Sequence, residues 1–259
     1  SMLQQLSRSM MESTTDLASI QDQLEKQAGD SETVLLQQAR LNTELQEGMM
    51  RTRMLPFAGM ASRLRRVVRQ TSREVGKQIE LQVIGEDLEM DRTVLDRMAG
   101  PLEHMVRNAV DHGIEDAVTR RAQGKPEMGV ITLQLAKEGT EMVLRLADDG
   151  RGLNLAAIRR KAVERGLLGV NTVIDDYNLM QFVLESGFST AAQVTQISGR
   201  GVGMDVVNNE IKQLGGSLQI ESVEGTGSRF TVRLPVALSI TQALVVGEGE
   251  HIYAIPHSS

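Results

Sequence analysis

One stretch constrains this chain more than any other: Pro101-Leu-Glu-His-Met-Val-Arg-Asn-Ala-Val-Asp-His-Gly113. A helix turns about 100° per residue, so His104, Asn108, Asp111 and His112 share one face, while Leu102, Met105, Val106, Ala109 and Val110 fall mostly on the other. One face packs and the other can bind. The carboxamide oxygen of Asn108 is a hard neutral donor, suited to a cation such as Mg²⁺ that phosphate oxygens and water also hold. His104 lies one turn earlier, within reach of the same ligand. Pro101 needs no backbone partner at a helix start and Gly113 suits a helix end, so the expected helix runs between them. A helix with a merely solvated polar face satisfies the same pattern, and the rest of the chain has to decide between the two.

Composition narrows the choice of ligand. A net charge of -6 over 259 residues lacks the basic footprint of a nucleic-acid binder, and two tyrosines and four phenylalanines leave little for stacking bases. The local basic run from Arg63 to Arg69 reads as a solvated helix face. With no cysteine, disulfides, thiolate metal sites and cysteine nucleophiles are excluded, which fits a reducing cytoplasm. No run approaches the roughly 18 apolar residues of a membrane span and no secretory leader is visible, so no direct membrane insertion is expected. At 41% hydrophobic and 24% charged, the chain has the make-up of one large or two modest globular domains.

In chain order, Leu3, Leu6, Met10, Leu17, Ile20 and Leu24 recur at alternating three- and four-residue steps, with Ser13 in one slot, which is a heptad seam. Gly29-Asp30-Ser31 reads as a break, after which Ser31 or Asp30 caps a second helix carrying Val34, Leu35, Leu41, Leu45 and Met49. Residues 1–54 are therefore expected to be a helical hairpin. A hairpin cannot bury two apolar stripes alone, so pairing with a second copy as a four-helix bundle is expected over docking on its own chain. Pro56 marks the boundary to a second domain, residues 55–235. There a helix is expected over 57–75, a strand over 79–84, and a hairpin from two alternating runs, Val130 to Ala136 and Met142 to Ala147, around a polar turn.

The hairpin delivers Asp148-Asp-Gly-Arg-Gly152 to a strand end, where Gly150 and Gly152 let backbone approach a flat ligand and a carboxylate can accept from an exocyclic amine. A helix over 155–165 follows, with Arg159, Arg160 and Lys161 as phosphate partners, then a short helix over 176–184. Residues 185–200 are small, polar and without a period, as suits a flap. They lead into Gly199-Arg-Gly-Val-Gly-Met-Asp205, a glycine loop opening a helix, which points backbone amides at an anion. The P-loop, dinucleotide and protein-kinase glycine signatures are all absent. Two last strands, 218–221 and 229–234, flank Gly225-Thr-Gly-Ser228 and complete a sheet of about five strands with helices on one face.

Together these elements resemble the ATP-binding domain shared by histidine kinases, type II topoisomerases and MutL proteins. The matching parts are an N box at Asn108, a first glycine box at Asp148 to Gly152, a lid ending at Gly199 to Gly203, and a last box at Gly225 to Ser228. More narrowly, His104 to Glu115, Gly187-Phe-Ser-Thr190 and Ser198 to Val207 resemble the CheA-type chemotaxis histidine kinases, and the match covers essentially the whole chain. Arg51 to Phe57 and Leu102 to Glu115 resemble the pilus-associated hybrid branch of that family. The fold class expected is thus α+β: a helical hairpin followed by an α/β sandwich ATP-binding domain, with residues 236–259 similar to the truncated start of a CheW-like receptor-coupling domain.

The resemblance implies ATP and Mg²⁺ as cofactors and a role for each residue. Asn108 binds Mg²⁺; Asp148 reads the adenine amine, with Gly150, Gly152 and Ser228 beside the base. Arg107, Asp111, His112 and Lys161 surround ribose and phosphates, while Ser189, Thr190, Gly199, Gly201, Val202 and Gly203 close over the triphosphate. His104 stands where relatives that hydrolyse ATP carry a glutamate base, so water is left unactivated and transfer to a histidine is favoured. Three positions depart from the family's pattern: Asn154, Ala157 and Ser228. The implied partners are a second copy, a histidine phosphotransfer domain, response regulators, and a CheW-like adaptor with a chemoreceptor. His104, His112, His251 and His257 lie in no phosphotransfer bundle, so the phosphoacceptor is expected elsewhere. An ATP-hydrolysing mechanical module and a non-catalytic scaffold remain as alternatives; His104 weighs against the first, Asn108 and Asp148 against the second.

Overall fold

A computed structural model describes residues 2–188, 203–236, 243–248 and 251–256. The chain divides into two units, Ser1–Arg53 and Met54–Ser259.

The first unit is one continuous helix, α1 (Met2–Arg53), not the expected hairpin. Gly29 costs an exposed helix only about 1 kcal/mol, and the polar residues beside it are satisfied without a turn. The Ser31 hydroxyl donates to Gln27 O at 2.7 Å and that of Thr33 to Gly29 O at 3.0 Å. The seam also keeps its phase through the break, since Leu24 and Val34 are ten residues apart, one heptad plus three. Its described apolar members, Met10, Leu17, Ile20, Leu24, Val34, Leu41, Leu45 and Met49, are all 53–68% exposed.

In the second unit, Pro56 ends a short extended segment, β1 (Met54–Pro56), and Phe57 is fully buried as the N-cap of α2 (Ala58–Val75). After β2 (Ile79–Ile84), β3 (Glu89–Asp91) pairs antiparallel with β1. Next comes α3 (Arg92–Asn108), continued by a π-helical turn (Ala109–Gly113), and then α4 (Ala117–Ala122). Here the sequence reading needs correction: Pro101 lies inside α3, not at its start. The helix begins at Arg92 because the Asp91 carboxylate accepts from Thr93 N and Val94 N, a true N-cap, while buried Pro101 forfeits one helical hydrogen bond.

β4 (Gly129–Glu138) and β5 (Glu141–Asp148) form the expected hairpin, with its turn tightened to Gly139-Thr140. Then come α5 (Leu155–Glu164), α6 (Asp176–Gln181) with a 3₁₀ turn (Phe182–Leu184), α7 (Met204–Gln213), β6 (Ser217–Val223) and β7 (Gly227–Pro235). β8 (Ala243–Glu248) and β9 (His251–Pro256) make a separate antiparallel pair.

The main sheet has the order β2-β4-β5-β7-β6, parallel only between β2 and β4. Alternation sets its two faces. Ile131, Leu133, Leu135, Leu144, Leu146, Val232 and Leu218 point to one side and share a core with Leu64 and Val68 of α2, Met98, Leu102 and Val106 of α3, and Val207 and Ile211 of α7. A smaller core forms around Ile158, Ala162, Leu168, Leu179 and Phe188. Helices α2, α3 and α7 thus share the core on one face of the sheet.

Candidate functional site

Burial divides the α3 face as its periodicity demands. Leu102, Met105, Val106, Ala109 and Val110 are buried, His104, Arg107, Asn108 and Asp111 are half-buried, and His112 is exposed. Asn108 turns its amide nitrogen to His104 Nε2 at 3.0 Å, with Met204 Sδ at 3.6 Å, so its Oδ1 points the other way. An amide N–H only donates, so Nε2 is the acceptor and His104 is neutral with its proton on Nδ1. Burial holds the His104 pKa below its ordinary value, and Arg107 adds to the effect. Asp111 and His112 lie 3.5 Å apart.

Past Asn108 the helix widens by one residue per turn, with Ile114 N donating to Ala109 O at 2.9 Å. The Lys77 ammonium, half-buried at the end of α2, donates to Val110 O, Asp111 O and Ile114 O at 2.9, 2.6 and 2.7 Å. The carbonyls a helix end leaves unpaired are thereby satisfied by a cation, whose pKa burial lowers.

The π turn ends against the second chemical element. A Cβ added at Gly113 would lie 3.3 Å from Cγ and both oxygens of the Asp148 carboxylate, so the two chemical elements meet at one glycine. Arg151 N donates to Gly113 O at 2.9 Å, and Gly150 N donates to Asp148 Oδ1 at 3.0 Å. A side chain at Gly150 would overlap Gly113 O. Gly152, at φ 73°, brings its Cα so close to Val223 O that a Cβ would sit 2.5 Å away. Ser228 is the strand partner of Asp148 in the β5–β7 pairing, and its hydroxyl lies 3.0 Å from that of Ser222. Asp148 is therefore a carboxylate in a walled recess. Burial pushes its pKa up to about 6, against the opposing hydrogen bonds from Gly150 and Ser228 N–H and with the help of Asp149 and Glu115.

The other expected site residues divide into three groups. Arg107, Asp111 and His112 accompany Asn108 on its helix, and Gly203 is the N-cap of α7 beside Met204. Lys161 is half-buried on α5, and Arg159 donates instead to Thr172 O at 3.0 Å. Ser189, Thr190, Gly199, Gly201 and Val202 lie outside the described residues. Of the departures from the family pattern, Asn154 has a structural use, because its Oδ1 caps α5 by accepting from Ala157 N at 2.8 Å.

Sequence reasoning missed the ionic layer beneath the recess. Arg120 is 0% exposed and Glu115 2% exposed, and this buried pair is joined by the half-buried Lys125 and Asp149 into a quartet of two cations and two carboxylates. The signal was present in Glu115, inside the recognised motif, and in Gly124-Lys125-Pro126, a turn with a charge in it. A hollow of about 360 Å³ lined by Thr132, Gln134, Arg145, Ala147 and Arg229 lies on the opposite face of the sheet and holds none of the site residues. Among the described residues no group of three His, Asp or Glu side chains could hold a metal alone, so a cation at Asn108 would need oxygens from the ligand and water. No helix among the described residues is long and apolar enough to cross a membrane.

The comparison by family concerns the same part of the chain as the Asn108 helix and the Asp148 strand end. The model for histidine kinase-, DNA gyrase B-, and HSP90-like ATPases matches residues 99–238, and the chain belongs to that family. Within it the domain is of the CheA histidine kinase type. Chemotaxis protein CheA of Bacillus subtilis (strain 168) is 42% identical over 222 residues, covering 85% of this chain and 33% of that protein. Sensor histidine kinase CheAY of Helicobacter pylori (strain ATCC 700392 / 26695) is 41% identical over 221 residues, covering 85% of this chain and 28% of that protein. The chain thus spans about a third or less of the length of these relatives. Among solved structures, the catalytic domain of histidine kinase ThkA is similar with a TM-score of 0.46 at 17% identity, covering 71% of this chain and 95% of that one.

Proposed function

We propose that this chain is the catalytic core of a chemotaxis-type histidine kinase that binds Mg-ATP and passes the γ-phosphoryl group to a histidine on a separate phosphotransfer domain, for relay to response regulators. The observation that carries the reading is the recess at Asp148, a half-buried carboxylate walled by Gly113 and Gly150. A half-buried carboxylate beside which glycines let backbone come close suits an amine on an aromatic ring, and the 6-amino group of adenine has that chemistry. The triphosphate then extends along the α3 face toward Asn108.

In transfer, the bond from the γ-phosphorus to the β–γ bridging oxygen breaks as a bond to the acceptor imidazole nitrogen forms; ADP leaves, and the acceptor gives up its ring proton to solvent. Mg²⁺, when bound, neutralises charge on the β- and γ-oxygens. Asn108 Oδ1 is the protein donor oriented for that ion. His104 does not compete as a base toward water, because its one basic nitrogen already accepts from the Asn108 amide. Lys77 fixes the end of the helix on which both residues stand.

Dimerisation through α1 belongs to the same reading, since an exposed seam along about 78 Å of helix needs a second apolar surface to cover it. So does coupling through a CheW-like adaptor to a chemoreceptor. The test is incubation with γ-labelled ATP, with and without a supplied histidine phosphotransfer domain. Label is expected on the added domain and not on this chain; acid-labile label accumulating on the chain alone contradicts the assignment.

A further inference from the structure

Lys125 uses all three of its ammonium protons inside the protein. It donates to Glu115 Oε1 at 3.0 Å, to Asp149 O at 3.0 Å and to Gly150 O at 2.7 Å. Arg120 performs a different task from the same side. Its Nε donates to Pro126 O at 2.6 Å and its Nη2 to Met128 O at 3.4 Å, fastening the segment that enters β4. Its Nη1 and Nη2 grip the Asp149 carboxylate at 3.1 and 2.7 Å, and Nη1 also reaches Glu115 Oε2 at 3.3 Å and Asp149 O at 3.2 Å. Asp149 Oδ1 further accepts from Val130 N at 2.9 Å, which ties the carboxylate to β4. Arg120 therefore shares the Asp149 carbonyl with Lys125, while its other bonds serve the fold. Lys125 alone reaches Gly150, the residue whose N–H holds Asp148 Oδ1 and whose Cα packs on Gly113 O.

We propose that Lys125 is a positioning residue for the nucleotide, acting through the Gly150 peptide to hold the Asp148 carboxylate in its adenine-reading orientation. The proposal rests on the reading that adenine binds at Asp148. The peptide between Gly150 and Arg151 is pinned at its carbonyl by Lys125 and, through Arg151 N, by Gly113 O. Removal of the ammonium frees the carbonyl end and loosens the donor that orients Asp148. It also leaves Glu115 and Asp149 with one cation in place of two.

The charged groups around Asp148 are Asp149 and Arg151 on its own loop and Glu115 from the segment before α4, with Arg120 and Lys125 paired to Asp149 and Glu115; β7 contributes the uncharged Ser228. Without Lys125 this set becomes more negative, so Asp148 takes up its proton at a higher pH and the pH midpoint of nucleotide affinity moves upward. A distant side chain that only stabilised the fold would not move that midpoint, and positioning is separated from charge by Lys125→Gln, which removes the charge but keeps amide donors for the Gly150 carbonyl.

The experiment is calorimetric titration of ATP with Mg²⁺ into the full chain and its Lys125→Met variant between pH 5.5 and 8.5, with thermal midpoints recorded in parallel. The expected result is a loss of affinity of about tenfold at pH 7.5, the scale of one hydrogen bond to a charged group, together with an upward shift of the pH midpoint. Lys125→Gln, which keeps amide donors and removes the charge, is expected to lose less affinity at high pH and still show the shift; it carries the test if the methionine variant does not fold. Wild-type affinity at every pH, or a loss of affinity with an unmoved midpoint, overturns the proposal. No binding by the wild-type chain overturns the nucleotide reading itself, and the proposal with it.

Discussion

The two ends of the candidate site are built on opposite plans. At Asp148 two glycine backbones wall the carboxylate, Gly150 N and Ser228 N donate to it, and a network of four charges, two of them buried, lies beneath its loop. At Asn108 the side-chain amide donates only to His104 and Met204 Sδ among the described residues, and the surrounding Arg107, Asp111 and His112 are half-buried or exposed. The first end is preorganised for a group of fixed shape. The second offers a donor oxygen and open space, as suits an ion and phosphates that bring their own ligands. Rigid recognition and adaptable chemistry are thus separated along one helix, and Gly113 joins them.

The contrast is broken most severely by attacking the layer under Asp148. Arg120→Met leaves the buried Glu115 with one cation fewer, and unfolding in urea is expected to show a loss of about 3–5 kcal/mol. A loss below about 1 kcal/mol would mean that the quartet contributes little to the rigid end. Asn108→Ala tests the open end. ATP affinity without Mg²⁺ is expected to stay within a few-fold of wild type, while phosphoryl transfer to a supplied histidine domain falls by about 100-fold or more. An equal loss of both would merge the two ends into one.

The smallest effect comes from pH, and its sign distinguishes recognition from stability. The folded pKa of Asp148, about 6, lies above the ordinary carboxylate value, so the folded state binds this proton more tightly than the unfolded state does. Its contribution to stability is fully present below the unfolded pKa and is lost as pH rises through about 6. Nucleotide affinity runs the opposite way, because only the carboxylate is a pure acceptor for an amine. Between pH 7.5 and 5.5 ATP affinity is expected to fall several-fold while the Asp148 term raises the stability of the nucleotide-free protein, readable as the difference in thermal midpoint between wild type and Asp148→Asn across that range.

The contrast also explains what was legible in the sequence. Side chains that announce themselves by period or by glycine spacing were found: the α3 face, the β4–β5 hairpin, Asp148 to Gly152, and the Asp148–Ser228 neighbourhood. Contacts between elements far apart in the chain carry no period, so Lys77 on the carbonyls of Val110, Asp111 and Ile114 went unread, as did Arg120 and Lys125 on the Asp149 loop. Pro101 misled because proline favours the first helical turn, yet the Asp91 cap set the start. In α1 a glycine followed by two capping residues imitated a turn, although the seam kept its phase across it. Local signals there pointed both ways, and only a tertiary contact could have favoured the hairpin.

The most direct measurement is titration of ATP with Mg²⁺ into the wild-type chain and Asp148→Asn at pH 7.5, with thermal midpoints measured on the same samples. The asparagine replaces an acceptor edge with a mixed one and removes a buried charge. It is expected to lower ATP affinity by at least about 100-fold and to leave the nucleotide-free protein as stable as wild type or more so. Binding of undiminished affinity by the variant would place the adenine elsewhere and contradict the account.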